Sequence, residues 1–338
     1  MPTLEDVARR AGVSTATVSK VLSNTPYFSE RTRTKVLQAV QEIGYVPNLA
    51  ARALSSGRTQ IIAFVFPYVY DALFADPFVL LILEGIEAEC HQRGYNLLLS
   101  TPRLAPGQPD QHYLQLVQSG YIDGFIALDS VPSASVVEPV VRQGIPAVTI
   151  GYHPNTFFVR ADDCAGGFQA MDHVLKLGHR RIGVISVDES LHFSISQRLA
   201  GLRAATEAYG VDFDSLPIAE GDFSTASGAR CAAELLAEYP GLTAFVCLND
   251  RMAIGAIQQL HVRTIRVPDQ MTVIGYDDIP TAAIIVPPLT TVNQQAFRQG
   301  QEAARMLLDI LNGRSPQPIT LPVELVIRGS SAPAHALA

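Results

Sequence analysis

Few of the residues that could do chemistry are spaced for catalysis. Only three lysines occur, Lys20, Lys35 and Lys176, and none follows a glycine, which excludes a P-loop. No Gly-x-Gly-x-x-Gly follows the first apolar run, and neither Gly-x-Ser-x-Gly nor His-Glu-x-x-His occurs. The eight histidines are scattered. His173 and His179 come near one another, but Gly178 puts a helix end between them, so surface or hydrogen-bonded histidines are expected. Cys90, Cys164, Cys231 and Cys247 form no Cys-x-x-Cys pair. Buried thiols in a reducing compartment are expected, not a disulfide framework or a zinc ribbon. The expectation is therefore no enzyme, no metal site and no cofactor.

The polar residues that do cluster lie at the front of the chain. Positions 1–60 carry a net charge of +4 and the remaining 278 residues −11. A basic front end on an acidic protein hints at nucleic acid held by that end. The elements expected there are short helices. Thr3 can cap a helix whose first turn holds Glu5 and Asp6, with Leu4, Val7, Ala8 and Ala11 at helical spacing and Gly12 as the break. Ser14 starts a second helix through Leu22, stopped by Ser23-Asn24-Thr25-Pro26. Ser29 caps a third, with Val36, Val40 and Ile43 as its apolar face and Gly44 at its end. Two helices joined by a tight turn and packed on a third make helix-turn-helix geometry. Residues 46–59 read as a separate piece, a short helix capped by Asn48 and closed by Ser55-Ser56-Gly57.

From Gln60 the texture changes. Apolar runs at 61–66, 95–100, 124–129, 146–150, 181–186, 243–248 and 271–275 alternate with helix-length segments, the pattern of buried parallel strands in βαβ units. About 280 residues of this is too long for one sheet, so two doubly wound subdomains are expected, with any ligand beyond the carboxyl ends of their strands. The 338 residues are 48% apolar and 17% charged, against about 25% charged in an ordinary globular protein, so a large core is expected. No apolar run approaches the roughly 18 residues of a membrane helix. Met1 to Asp6 lack a basic and an apolar signal region, so a cytoplasmic location is expected.

The segment PTLEDVARRAGVSTATVSKVLSN, Pro2 to Asn24, resembles the DNA-binding headpiece of the LacI/GalR family of bacterial transcriptional regulators. The resemblance continues from Ser29 to Val65. It recurs in DPF (76–78), GIPAVTI (144–150), ADDCAGG (161–167), LGHRRIGVIS (177–186), RLAGLRAA (198–205), LNDRMAIGA (248–256), VIGYDD (273–278) and PPLTTV (287–292). It implies a small all-α headpiece at 1–46, a hinge helix and linker at 47–59, and an α/β periplasmic-binding-protein-like sensor at 60–338. The sensor's N-subdomain would cover about 60–160 and 293–319, and its C-subdomain about 161–290 and 320–330.

The resemblance assigns Thr15, Ala16 and Lys20 to base-reading positions, where the Ala16 methyl can meet a thymine methyl. Ser14, Thr17, Ser19 and Asn24 would bind phosphates and fix the register. The alternative is that Ser14 and Asn24 are ordinary caps of a short helical bundle. Leu54 matches the hinge leucine that pries open a base step in the minor groove, and the alternative is packing on the sensor. In the sensor, Arg198 matches the arginine that grips effector oxygens. Asn249 and Asp277 match polar positions at strand ends, and Phe78 an aromatic at the pocket mouth, with Asp71 and Phe74 on the same loop. Asp277 also reads as half of an Asp-Asp turn.

The chain departs from the family in places. It has no tryptophan for stacking a sugar, the loop from Pro67 to Ala75 looks long, and Asp76 stands where asparagine is common. The stretch from Gly329 to Ala338 carries no leucine heptads, so a homodimer is expected rather than a tail-built tetramer. The function implied is a sequence-specific regulator, a repressor controlled by a sugar or sugar derivative, with a purine or nucleoside effector as the alternative. A periplasmic solute-binding protein would not carry sixty residues of helix-turn-helix, and a sugar-modifying enzyme would need an acid/base pair that is not evident.

Overall fold

The computed structural model describes residues 2–22, 28–46, 57–66, 73–103, 110–128, 136–190 and 192–334. The chain divides into two compact units, Met1–Gln60 and Ile61–Ala338.

In the first unit, α1 (Leu4–Ala11), α2 (Thr15–Leu22) and α3 (Glu30–Ile43) enclose a small core of Val7, Ala8, Ala11, Val18, Val21, Val36 and Ala39. A capping box starts α1. The Asp6 amide donates to Thr3 Oγ1, and the Thr3 amide donates to Asp6 Oδ2. The Thr3 amide and the Thr3 hydroxyl both donate to Asp6 Oδ2, and these two bonds hold the Asp6 carboxyl below its usual pKa. Gly12 and Gly44 end α1 and α3 with φ of 67° and 63°, the left-handed cap that glycine adopts without strain. On α3 the buried positions are Val36 and Ala39, whereas Val40 and Ile43 are only half-buried.

The second unit holds two α/β subdomains. The first sheet runs β11 (Ile319–Leu321), β5 (Phe157–Ala161), β4 (Ala147–Ile150), β3 (Gly124–Leu128), β1 (Ile61–Val65), β2 (Asn96–Ser100), all parallel. One face is covered by α4 (Pro77–Gln92) and α11 (Ala296–Leu311), the other by α5 (Gln111–Gln118) and α6 (Val137–Arg142). The second sheet runs β12 (Glu324–Val326), β10 (Thr290–Asn293), β9 (Thr272–Asp277), β8 (Ala244–Cys247), β6 (Ile182–Ser186), β7 (Ile218–Glu220), with only β12 antiparallel. Its helices are α7 (Asp163–Lys176), α8 (Phe193–Ala208), α9 (Thr225–Glu238) and α10 (Asp250–Val262). Strands β6, β8 and β9 are buried at every residue, as continuous apolar runs between two helical layers must be.

Three helix pairs, α4 with α11, α7 with α8 and α9 with α10, cross at reciprocal glycines: Gly85 and Gly300, Gly167 and Gly201, Gly228 and Gly255. A Cβ at any of them would run into a backbone carbonyl of the partner helix. The missing side chains let the backbones touch, which fixes where α7 and α8 hold the side chains discussed below.

The chain passes between the two sheets after Ala161, after Asn293 and after Leu321. The first subdomain's last strand therefore reaches Leu321 rather than 319, and the second keeps β10 through Asn293 rather than 290. Residues 329–334 lie along the second subdomain. The Ala332 amide donates to Thr272 Oγ1 and the Ala334 amide to the Leu177 carbonyl. Cys90, Cys231 and Cys247 are buried, and burial pushes the Cys90 thiol up to about 12. Among the described residues no helix is long and apolar enough to cross a membrane, and no group of His, Cys, Asp or Glu is arranged to hold a metal.

Candidate nucleic-acid and ligand sites

On α2 the local physics sorts the side chains into two faces. Val18 and Val21 point into the small core, and Thr15, Ala16 and Lys20 are exposed. Ala16 and Lys20 are one turn apart, so they share the outward face with Thr15 beside them. Ser14 is the helix cap, because its Oγ accepts the Thr17 amide at 3.2 Å and lies 2.9 Å from Thr17 Oγ1. Ser14 is exposed, while Thr17 and Ser19 are half-buried. Asn24, Leu54 and Asp71 lie outside the described residues. The structure thus brings together Ser14, Thr15, Ala16 and Lys20 on the open end and face of one helix, a shape and polarity suited to a groove.

In the second subdomain the carboxyl ends of β8 and β9 and the first turn of α7 converge on Arg198, in the second turn of α8. Its Nε donates to Asp163 Oδ1 at 2.9 Å and its Nη1 to the Leu248 carbonyl at 2.6 Å, with Asp277 Oδ1 at 3.8 Å. The guanidinium lies over the Tyr276 ring, 3.7 Å from its centroid, and the Tyr276 hydroxyl donates to Asp163 Oδ1. Arg198 is 5% exposed. Burial alone would lower its pKa, and the facing Asp163 carboxylate, with Tyr276 and Asp277, more than reverses this, so the arginine stays charged. Burial raises the pKa of Asp163 and Asp277, and Arg198 opposes it at both. Asp163 and Tyr276 are the side chains of this cluster that sequence reasoning missed; Asp163 lay within the ADDCAGG motif as the second of two aspartates, with nothing to tell it from the cap Asp162.

Asp277 and Asp278 both have positive φ, 120° and 56°. The two carboxylates divide the work. Asp278 is the turn residue, accepting from Arg328 Nη2 at 2.6 Å and from Asn293 Nδ2 at 2.8 Å. Asp277 faces Arg198, with Oδ1 accepting from Gln294 Nε2. Among the described residues Arg198 Nη2 and Asp277 Oδ2 have no protein hydrogen-bond partner, yet neither is a buried orphan, so both retain accessible surface. Asn249, by contrast, is committed to the fold. Its Oδ1 caps α10 by accepting the Met252 amide at 2.9 Å, and its Nδ2 donates to the Phe223 carbonyl. Asp250 next to it accepts from the Ile279 amide and from Thr291 Oγ1, and burial pushes its carboxyl up to about 7.

The aromatic positions separate likewise. Phe78, at the start of α4, packs against the cores of both subdomains. Phe74 is 58% exposed with its ring edge-on to Phe66, and among the described residues none of its ring contacts is with the Arg198 cluster. Two aromatic contacts were not anticipated. Tyr152, after β4, stacks on Phe193, at the start of α8, with centroids 4.7 Å apart, and His192 meets Phe223 edge-on. His173 and His179 prove to be hydrogen-bonded structural residues. His173 pairs with Ser331, and His179 with Thr243 and the Ala332 carbonyl.

Residues 3–48 match the family model described as bacterial regulatory proteins, lacI family, and residues 171–331 match the periplasmic binding protein-like domain. The HTH-type transcriptional regulator CelR of Thermobifida fusca is 34% identical over 336 residues, covering 97% of this chain and 98% of the relative. The HTH-type transcriptional repressor PurR of Haemophilus influenzae is 32% identical over 338 residues, covering 98% of each. Among solved structures, a CelR–cellobiose complex matches 98% of this chain and all of that one, at 32% identity and a TM-score of 0.73. The lac repressor dimer bound to operator and the anti-inducer ONPF matches 98% of this chain and 99% of that one, at 27% identity and a TM-score of 0.84. With near end-to-end matches to transcriptional regulators, a helix-turn-helix front unit and a two-subdomain sensor, the chain belongs to the lacI family of bacterial regulatory proteins.

Proposed function

We propose that this regulator is a cytoplasmic, nucleoid-associated repressor that binds a pseudo-palindromic operator as a homodimer and releases or grips it according to a sugar or sugar derivative bound between its two subdomains. The observation that carries the effector reading is Arg198 beside Asp277, each keeping one polar atom unpartnered and accessible. An N–H donor next to a carboxylate acceptor meets neighbouring hydroxyls of one molecule, and Phe78 and Phe223 would supply apolar walls. The complexes of relatives with cellobiose and, at 28% identity, with ribose favour the same class.

In this reading residues 1–46 are the headpiece, 47–59 the hinge and linker, and 60–338 the core. Thr15, Ala16 and Lys20 read bases, Ser14, Thr17, Ser19 and Asn24 set the register on phosphates, and Leu54 wedges the minor groove. Asp71 and Phe74 would flank the cleft, and Asn249 acts by holding the end of α10. The operator and dimer assignments rest on the lac repressor dimer–operator complex. A nucleobase or nucleoside effector is the second reading, favoured by the planar faces of Tyr152, Phe193 and Phe223.

The test is a thermal-shift screen of the purified full chain with cellobiose, ribose, adenine and guanosine, alongside selection from a random duplex pool. A ligand at a hundred times its dissociation constant stabilises the fold by about 2.7 kcal/mol. Stabilisation by a sugar and enrichment of a two-fold symmetric site are expected. Stabilisation by adenine or guanosine alone replaces the first effector reading with the second, and failure to enrich any duplex overturns the operator reading.

A further inference from the structure

The cleft between the subdomains is spanned by an ion pair. Arg251, in the first turn of α10 in the second subdomain, donates from Nη1 to Asp76 Oδ2 at 3.1 Å, and Asp76 belongs to the first subdomain as the cap of α4. Both side chains are largely buried, at 6% exposure for Asp76 and 13% for Arg251. The other oxygen of Asp76 accepts the Phe78 amide at 3.0 Å, and Asp76 lies close enough to Asp277 to raise its pKa. The pair therefore adjoins the Arg198–Asp277 cluster. An asparagine at position 76 would cap α4 equally well. Capping does not explain the charge. The arginine across the cleft does.

We propose that Asp76 and Arg251 form a latch that holds the two subdomains together and sets how readily the cleft opens to an effector. This rests on the effector-cleft reading only for its consequence, since the latch itself is measurable without ligand. Removing one partner leaves its mate charged and buried in the closed form but free to reach water in the open one, so either single variant shifts the subdomains toward opening. A ligand that binds the closed form more tightly than the open form draws on the same equilibrium. Asp76 and Arg251 are thus positioning residues for the effector response, acting through closure.

The chain contains no tryptophan, so a single one can report on the cleft. Tyr152 stacks across it on Phe193, which makes Tyr152→Trp a suitable reporter in the ligand-free full chain. In that background Asp76→Asn, which keeps the cap, and Arg251→Gln are expected to red-shift the emission and increase quenching by acrylamide. The double variant is expected to go no further than the larger single effect. Circular dichroism of each variant confirms that the fold is retained. Unchanged emission and quenching in both single variants overturn the latch, and so does a double variant in which the two shifts add. Either result leaves the sugar or nucleobase reading to its own thermal-shift test.

Discussion

The Arg198 guanidinium is clamped between the Tyr276 ring, 3.7 Å from its centroid, and the carboxylate of Asp163, which accepts its Nε at 2.9 Å. An arginine held on three sides and left with one accessible nitrogen is pre-organised, so binding costs it little rotamer freedom. The same burial makes it structural. Replacing Arg198 by Ala strands Asp163 and Asp277 without their counter-charge, and breaking a buried pair in this way costs about 3–5 kcal/mol. Urea unfolding of Arg198→Ala is expected to show that loss together with a missing effector response. A variant as stable as the parent would show that the clamp carries no energy.

The reciprocal glycines of α7 and α8 couple packing to the cluster. A Cβ on Gly167 would strike the backbone of Arg198 itself, and one on Gly201 the Cys164 carbonyl. Gly167→Ala is therefore expected to destabilise the chain by about 1–3 kcal/mol, the usual range for overpacking. It should also move Arg198 and weaken ligand-induced stabilisation. Gly313, a surface helix end with open space around it and a φ of 76°, is the control: its alanine variant loses stability to backbone strain and leaves the ligand response unchanged.

Much of this was legible in the residues. The caps Thr3, Ser14 and Ser29 and the stops Gly12 and Gly44 place the three headpiece helices, and the continuous apolar runs place seven of the strands within about two residues. The strands that escaped notice, β5, β7, β10, β11 and β12, lack such runs. In β10 the buried residues include Thr290 and Thr291, whose hydroxyls bond Ser331 and Asp250, so burial there is paid in hydrogen bonds rather than written in apolar side chains. Strand β5 carries Arg160 on its half-exposed side, which breaks the run of FFV. Arg198 and Asp277 were readable from their motifs. Asp163, Tyr152, Phe193 and the Asp76–Arg251 pair were not, because each acquires its meaning from a partner remote in sequence.

The docked end of the chain is expected to respond to acid. Burial lowers the pKa of both His173 and His179, and these rings hold Ser331 and the Ala332 carbonyl. An unfolded histidine takes up its proton near pH 6.5, whereas these folded ones resist it to lower pH. Their contribution to stability is therefore complete above pH 6.5 and declines as the pH falls below it. Melting temperatures measured between pH 7.5 and 5.5 are expected to fall less steeply in His179→Gln than in the parent. Parallel pH profiles would mean that the His179 ring is as easily protonated folded as unfolded.

The two faces of α2 make opposite predictions for variants that lie close together in the sequence. Val18 is fully buried in a core of few residues, so Val18→Ala is expected to melt the headpiece and abolish DNA binding without regard to sequence. Ser14→Ala removes the cap that accepts the Thr17 amide and should cost about 1 kcal/mol of helix stability. Lys20 is exposed and outside the core, so Lys20→Ala is expected to leave the headpiece folded. If Lys20 meets a phosphate, the slope of log affinity against log salt becomes shallower by about 0.9, and binding weakens alike on all duplexes. If it meets a guanine edge, discrimination at one base pair of the selected site drops by about 1–3 kcal/mol while other duplexes are bound nearly as before. Titrations of the selected site and of a scrambled duplex at several salt concentrations separate these outcomes, and unchanged affinity for both would remove Lys20 from the interface.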